Sequence, residues 1–430
     1  MRSKGSVIFV AILIFWLIFA PKSAIIPDPS ISRWITNFVC LVLLWSVRHD
    51  LKYMFAERNR TFNVLLLAYL AIAVFSEYYN TGTIKKYELP DLENAPLGVT
   101  SFKYLLVYSI GLFASSLYIQ RISRTKYIRI LLKTLFVLLL VVLVPTCIEV
   151  VGTPIEKGTL TEYRVGNKFV IGYYHLYLCA IYCLLHPYLN HKKHKYSLLL
   201  FLVFMIFTSI ITQCSTMIVG ALIFMLLSLF ISDTLRNRLA SAKVVVISVL
   251  VFDIGFFFLV TWILQYDFIQ YIVTDVLHRD LTLTGRLPIY MDIQEAFTES
   301  PWIGLGYGNS AVVARYFTDA FDSQNGLVEL FIQTGLIGVA VFLLLLYTAS
   351  KTFEKNNIPK LSLVALIYAM IGISTVEIPF KLSFVFFLSF CFIRRRRYPK
   401  ALLELVRAYN RRKILAKIKQ NMIHEKRKPL

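Results

Sequence analysis

Four cationic side chains, Arg164, Lys168, Arg286 and Arg315, lie in or beside polar connectors of an otherwise apolar chain. Arginine forks match phosphate oxygens two at a time, and lysine adds a compact charge. Gathered on one face, these four could hold a diphosphate. Asp322 and His175 could take a proton, and Gln324 and Asn325 could position a polyol through their amides. Each has a plainer reading. Arg315 and Asp319 stand four apart on an expected helix and make a good internal pair. Ser323 and Asn325 could cap the helix that follows them, and His175 could be a hydrogen-bonded residue at an interface. There is no zinc spacing, no phosphate-binding glycine loop and no nucleophile elbow. Asp91-Leu92-Glu93 is too thin to argue for a metal, so neither metal nor cofactor is expected.

The elements that would position these groups are read from composition. The chain has 430 residues, is 57% hydrophobic and has a mean hydropathy of +0.64. Soluble domains hold about 45–50% apolar residues, so the excess points to a membrane protein. All six cysteines (40, 147, 179, 183, 214 and 391) fall in apolar runs, without metal or disulfide spacing. Arg2 and Lys4 before an apolar start resemble a signal peptide, but Pro21, Lys22 and Ser23 interrupt the cleavage region, so 6–20 is read as a first span.

Twelve runs approach the length a bilayer requires: 6–20, 35–47, 62–76, 102–119, 128–149, 169–187, 196–212, 214–231, 243–264, 326–349, 361–376 and 380–393. Residues 196–231 are too long for one crossing and must fold back at Thr212–Thr216. Residues 361–393 break at Glu377-Ile378-Pro379. With both termini cytoplasmic and residues at span ends counted with the adjoining loops, 33 of the 46 Lys/Arg fall on the inner side and 12 on the outer, with Lys133 inside a span. That bias obeys the positive-inside rule, and it accounts for the net charge of +21 without nucleic acid. The organisation expected is a transmembrane domain over 1–393, with an outer loop at 265–325, and a basic cytoplasmic tail over 394–430 able to meet anionic headgroups.

The long polar stretch has internal order. Arg286–Glu299 reads as an amphipathic helix, with Pro288 in its first turn and Pro301 beyond its end. Gly304, Gly306 and Gly308 alternate with Ile303, Leu305 and Tyr307. No strand precedes them, so they predict a tight turn where backbone comes close to something, not a dinucleotide site. Ser310 is a candidate cap for a second helix reaching Phe321. Asp253, inside a span, is a carboxylate that calls for either a function or a hydrogen-bonded packing role.

Gly285-Arg286, Tyr290, Phe297, the run Ser300–Asn309, Gln324-Asn325-Gly326-Leu327, Glu329-Leu330 and Thr334–Gly338 together resemble the signature of the bacterial O-antigen ligase and O-antigen or capsule polymerase superfamily. About fifty-five residues carry the likeness, and the many-span layout around one outer loop agrees with it. The resemblance implies an all-α polytopic glycosyltransferase of the GT-C-like kind with about twelve transmembrane helices, in the bacterial inner membrane. It implies outer-loop arginines that engage the diphosphate of undecaprenyl-linked oligosaccharides, and a chain-length regulator as a possible partner. Arg286 falls on the signature's Gly-Arg. Arg315, ten residues before Gly326, fits an Arg-x10-Gly pattern of such polymerases, and Arg164–Lys168 with Tyr173–His175 loosely resembles the loop before the sixth span.

Two departures bear on function. The ligases carry histidine where this chain has Gln324, and arginine where it has Ser215 or Thr216. Glutamine cannot take a proton. Both point to a polymerase that joins lipid-linked repeats, and the resemblance implies a metal-independent, inverting transfer. Asp322 or His175 would then be the base. Arg286 would be the leading cation, Arg164, Lys168 and Arg315 would support it on the diphosphate, and Gln324 and Asn325 would position the sugar. The alternatives are a ligase that moves glycan to lipid A core, and a transporter of the same lipid-linked sugar.

Overall fold

The computed structural model describes residues 3–393 except 50, 52–53, 56–58, 84–86, 88–101, 154–161, 190–193, 264–265, 267–285, 319, 321 and 355–356. The basic tail, the first half of the outer loop, Asp91–Glu93, Asp319 and Phe321 therefore lie outside the described residues. So do the side chains of Arg286 and Leu287.

Among the described residues every regular element is helical, with one isolated bridge between Tyr163 and Gly166. In order these are α1 (Lys4–Ile18), α2 (Pro29–Val47), α3 (Arg60–Asn80), α4 (Phe102–Ile122), α5 (Ile128–Gly152), α6 (Lys168–Leu185), α7 (His194–Ile211), α8 (Ser215–Met225), α9 (Asp233–Leu239), α10 (Ala242–Val249) and α11 (Gly255–Ile263). Then come α12 (Arg286–Asp292), α13 (Gln294–Glu299), α14 (Ser310–Thr318), α15 (Gly326–Glu354), α16 (Asn357–Ser374) and α17 (Leu382–Leu388).

Six of these regions are long and apolar enough to cross a bilayer: Pro29–Val47, Arg60–Asn80, Phe102–Ile122, Ile128–Gly152, Lys168–Tyr188 and Gly326–Glu354. A seventh crossing is possible if Asp233–Leu239 and Ala242–Phe258, bent by 64°, form one span. The other five runs also form apolar helices, but of 10–17 residues. Their outward faces suit hydrocarbon: Trp34, Phe38, Trp45, Ile148 and Leu200 are all exposed.

The expected breaks are present. α7 ends at Ile211 and α8 starts at Ser215, with Gln213 at φ +51° between them. The two helices pack on each other as a hairpin. α16 stops at Ser374 and α17 starts at Leu382, so Glu377–Pro379 form the connector. The expected single helix over 286–299 is two short ones that meet at Ile293. Both turn an apolar face inward, where Ile289, Tyr290, Ile293 and Ala296 share a small core with Phe257, Leu305 and Ile332.

α15 holds the site. Asn325 caps it, its Oδ1 accepting from the N–H groups of Leu327 (3.1 Å) and Val328 (3.0 Å). Ten residues on, α15 is broken at Gly335, whose φ of +63° and ψ of −170° belong to glycine alone. The segment Pro301–Leu305 fits into that break. Leu336 N donates to Pro301 O (2.9 Å), Ile337 N to Trp302 O (3.1 Å), and Leu305 N to Ile332 O (2.7 Å). Here is the close backbone approach that the alternating glycines foretold: Gly304, Gly306 and Gly308 all have positive φ. A Cβ on Gly304 would stand 2.5 Å from Thr334 N.

Candidate functional site

The end of α3 ties the loop to α15. Ser76 Oγ donates to Gln333 O (2.8 Å), Asn80 Nδ2 to Gly304 O (3.0 Å) and Ser76 O (2.8 Å), and Asn309 Nδ2 to Glu77 Oε2 (2.8 Å). Asn80→Ala should therefore orphan a buried carbonyl at a cost of about 1–3 kcal/mol. It should lower the melting temperature of the purified protein by several degrees. An unchanged melting temperature would remove Asn80 from this role.

Against that frame a cavity of about 50 Å³ opens between the first half of α15, the loop at Tyr307 and the connector to α17. Tyr307, Glu329, Gln333, Phe380 and Lys381 line it. Glu329 is buried, and both its oxygens are fixed. Ser323 Oγ donates to Oε2 (3.0 Å), and Gln333 Nε2 to Oε1 (2.9 Å). The same Gln333 amide also donates to Ser310 Oγ (3.1 Å). Ser310 was expected as a helix cap; its hydroxyl belongs to this network instead. The Tyr307 phenol accepts from the Leu382 N–H, and burial pushes it above its ordinary value, so at neutral pH it keeps its proton.

Lys381 is exposed at the cavity wall, with its ammonium 5.6 Å from the centre of the Tyr173 ring. Tyr173 lies within charge range of Glu377 and Asp322. Cys214 lies within range of Lys168 and Glu377. Two lysines and three carboxylates thus lie near the adjoining ends of α6, α8, α15 and α17, beside a small cavity with mixed polar and apolar walls.

The residues singled out from sequence divide accordingly. Asp322 Oδ1 accepts from Gln324 N (3.1 Å) and from the Gln324 amide, in a turn where Gln324 has φ +52°. Asn325 is buried, with Nδ2 on Asp253 O (3.1 Å), so its side chain is spent on structure. Lys168 opens α6 and stands over Phe169 at 5.6 Å. Arg164 is exposed in the turn closed by Tyr163 and Gly166, and its N–H donates to Glu149 Oε2 (3.0 Å). Arg315 is half-buried on α14. His175 turns away to α5 and α7. It is buried, with Nδ1 at 2.9 Å from Ile171 O, Nε2 at 3.8 Å from Cys147 Sγ, and its ring against Phe204.

Arg286 opens α12. One turn later the Tyr290 hydroxyl reaches Gln324 O (2.8 Å) and Thr375 O (2.9 Å), which anchors that helix at the same end of the bundle. Asp253 is fully buried in a π-helical turn over 250–254. Its carboxylate sits beside the Ser374 hydroxyl, which donates to Ile371 O (2.7 Å).

Glu329, Gln333 and Lys381 were missed as site residues. Glu329 carried a usable signal, since a carboxylate inside an apolar helix is a candidate by position. Lys22 was also passed over. Its ammonium donates to Tyr104 Oη (3.3 Å) and faces the Tyr108 ring at 5.4 Å. Burial lowers it to about 8, which makes it a poor fixed charge above neutral pH.

A helical bundle that carries several membrane-length helices and a cavity with mixed polar and apolar walls at one end defines a multi-pass membrane protein with a candidate transfer site. Residues 200–343, about a third of the chain, match the family model described as O-antigen ligase, in agreement with the O-antigen ligase/polymerase superfamily. The matched region takes in the glycine turn, Asp322–Asn325, Glu329 and the Gly335 break, and leaves out Lys168 and Lys381. No curated protein matches the chain.

Proposed function

We propose that the protein is a polysaccharide polymerase of the bacterial plasma membrane. It would join undecaprenyl-diphosphate-linked repeats on the outer face, with twelve spans and both termini in the cytoplasm. The observation that carries the reading is the cavity beside Glu329, with Lys381 at its wall and Lys168 at the neighbouring helix end. Glycosyl transfer from a lipid diphosphate needs charge stabilised on the leaving group more than it needs a strong acid. Fixed cations at a partly dry site supply several kcal/mol of that. Arg286, Arg164 and Arg315 join them in this reading, and a chain-length regulator is a fitting partner. Gln324, held by Asp322 and unable to take a proton, favours polymerase over ligase.

The test is glycan analysis in a strain lacking this gene. A polymerase leaves single lipid-linked repeats to accumulate. Accumulated long lipid-linked chains would identify a ligase instead. Purified protein should lengthen those single repeats without a second membrane compartment; failure to do so would turn the reading toward transport.

A further inference from the structure

We infer that Glu329 takes the proton from the acceptor sugar hydroxyl during glycosyl transfer, with Ser323 and Gln333 as its positioning residues. This rests on the reading above and adds the base it lacks. In the step, the acceptor hydroxyl oxygen bonds to the anomeric carbon of the donor chain. The bond from that carbon to the diphosphate oxygen breaks, and the lipid diphosphate leaves with the electron pair. The hydroxyl proton passes to the Glu329 carboxylate and from there to water.

Three observations point to Glu329. First, Glu329 lines the cavity together with its partner Gln333, so the cavity is the route by which a hydroxyl would come to it. An ionised carboxylate offers about four acceptor sites; Ser323 and Gln333 occupy one on each oxygen and the neighbouring Ser310 hydroxyl can take a third, which leaves one for the acceptor hydroxyl. Secondly, its hydrogen-bonding partners Ser310, Ser323 and Gln333 are neutral, and Asp322 nearby is itself an acid, so they orient the group without holding it ionised. Thirdly, Ser323 is a partner that suits either protonation state. Its single hydroxyl hydrogen has two acceptors in reach, Glu329 Oε2 at 3.0 Å and Asn325 O at 3.1 Å. Toward an ionised Glu329 it donates. Once Oε2 carries the proton, Ser323 Oγ can accept it and turn its own hydrogen to Asn325 O. A carboxyl that must gain and lose a proton each turnover is served by such a neighbour, whereas a permanently charged structural carboxylate has no use for one.

The rival groups are less well placed. Asp322 gives Oδ1 to two donors from Gln324 and does not line the cavity. His175 faces Cys147 and Phe204. Tyr307 lines the cavity, but its phenol is already protonated.

The experiment uses the full chain in lipid nanodiscs and, as probe, the single lipid-linked repeat that accumulates in the deletion strain. Glu329→Gln keeps the side chain's shape and an acceptor oxygen but cannot take a proton. Its turnover should fall about 10²–10⁴-fold, the range for a lost general base, while affinity for the probe and melting temperature stay within about twofold and about 2 °C of wild type. Glu329→Asp, which keeps the proton acceptor on a shorter arm, should recover part of that loss. Turnover within threefold of wild type in Glu329→Gln overturns the assignment. A loss of probe affinity in parallel with turnover, or equal inactivity of Glu329→Asp, also overturns it, because each marks a structural role. A wild-type protein that does not lengthen the repeat overturns the functional reading first and the base with it.

Discussion

Arg286→Ala should abolish glycan lengthening while the protein remains folded and inserted. Removing one donor to a developing oxyanion costs about 10²–10³-fold in turnover in well-studied enzymes, and a bidentate contact to a diphosphate is worth at least one such donor. Stability should hold, because α12 is anchored further along. Tyr290 fixes that helix through Gln324 O and Thr375 O, and Ile289 and Ile293 are buried beneath it. The same anchor places the start of α12, where Arg286 lies about one helical turn before Tyr290, at the end of the bundle that holds Gln324. Arg286→Lys should lie between wild type and alanine, since lysine keeps the charge and loses the fork. Glycan length on a gel, read beside the amount of protein in the membrane fraction, checks both. Normal long chains in Arg286→Ala would remove this residue from the site.

Much of the scaffold was legible because it depends on local composition. Apolar runs located the helices, and a helix lies at each of the twelve runs. The breaks at Thr212–Thr216 and Glu377–Pro379 were legible too, since polar residues and proline interrupt a helix wherever it packs. The alternating glycines were read as a place of close approach, and that is where 304 meets 334. What approached them could not be read. Thr334 lies thirty residues away, across α14 and the first turns of α15, and only the folded chain shows that Pro301–Leu305 occupies the break in α15.

The site divides along the same line. Asp322, Gln324 and Asn325 are close in sequence and stayed together in the cluster, though all three side chains bond within their own turn or cap. The outer cations singled out from sequence include Lys168 but not Lys381, a single lysine between Phe380 and Leu382 in an apolar run. Its nearness to Tyr173 comes from packing between helices about two hundred residues apart. Glu329 was seen only as one letter of a signature. Its meaning rests on Ser323 six residues before it, Gln333 four after, and a cavity wall supplied by residues 378–381.

Gly335→Ala should be the most damaging single methyl in the protein. The backbone there lies in a region that an L-residue enters only at about 1–3 kcal/mol of strain, and the added Cβ would be driven into the Trp302 carbonyl. Relief requires Pro301–Leu305 to move out of the break, which breaks the bonds from Leu305, Leu336 and Ile337 at about 1 kcal/mol each. Together that is about 4–6 kcal/mol, comparable with the whole stability of many domains. The same displacement unseats Gln333, whose carbonyl holds Ser76 and whose amide holds Glu329, so the cavity loses its shape even in molecules that stay folded. The expected result is a melting temperature lower by about 10 °C, or no folded protein, together with loss of glycan lengthening. Gly152→Ala is the matched control. It closes α5 with nothing within 4 Å of its added methyl, and should change the melting temperature by less than about 2 °C. A Gly335→Ala protein that melts and lengthens glycan like wild type would show that the loop seated in the α15 break does not hold the site together.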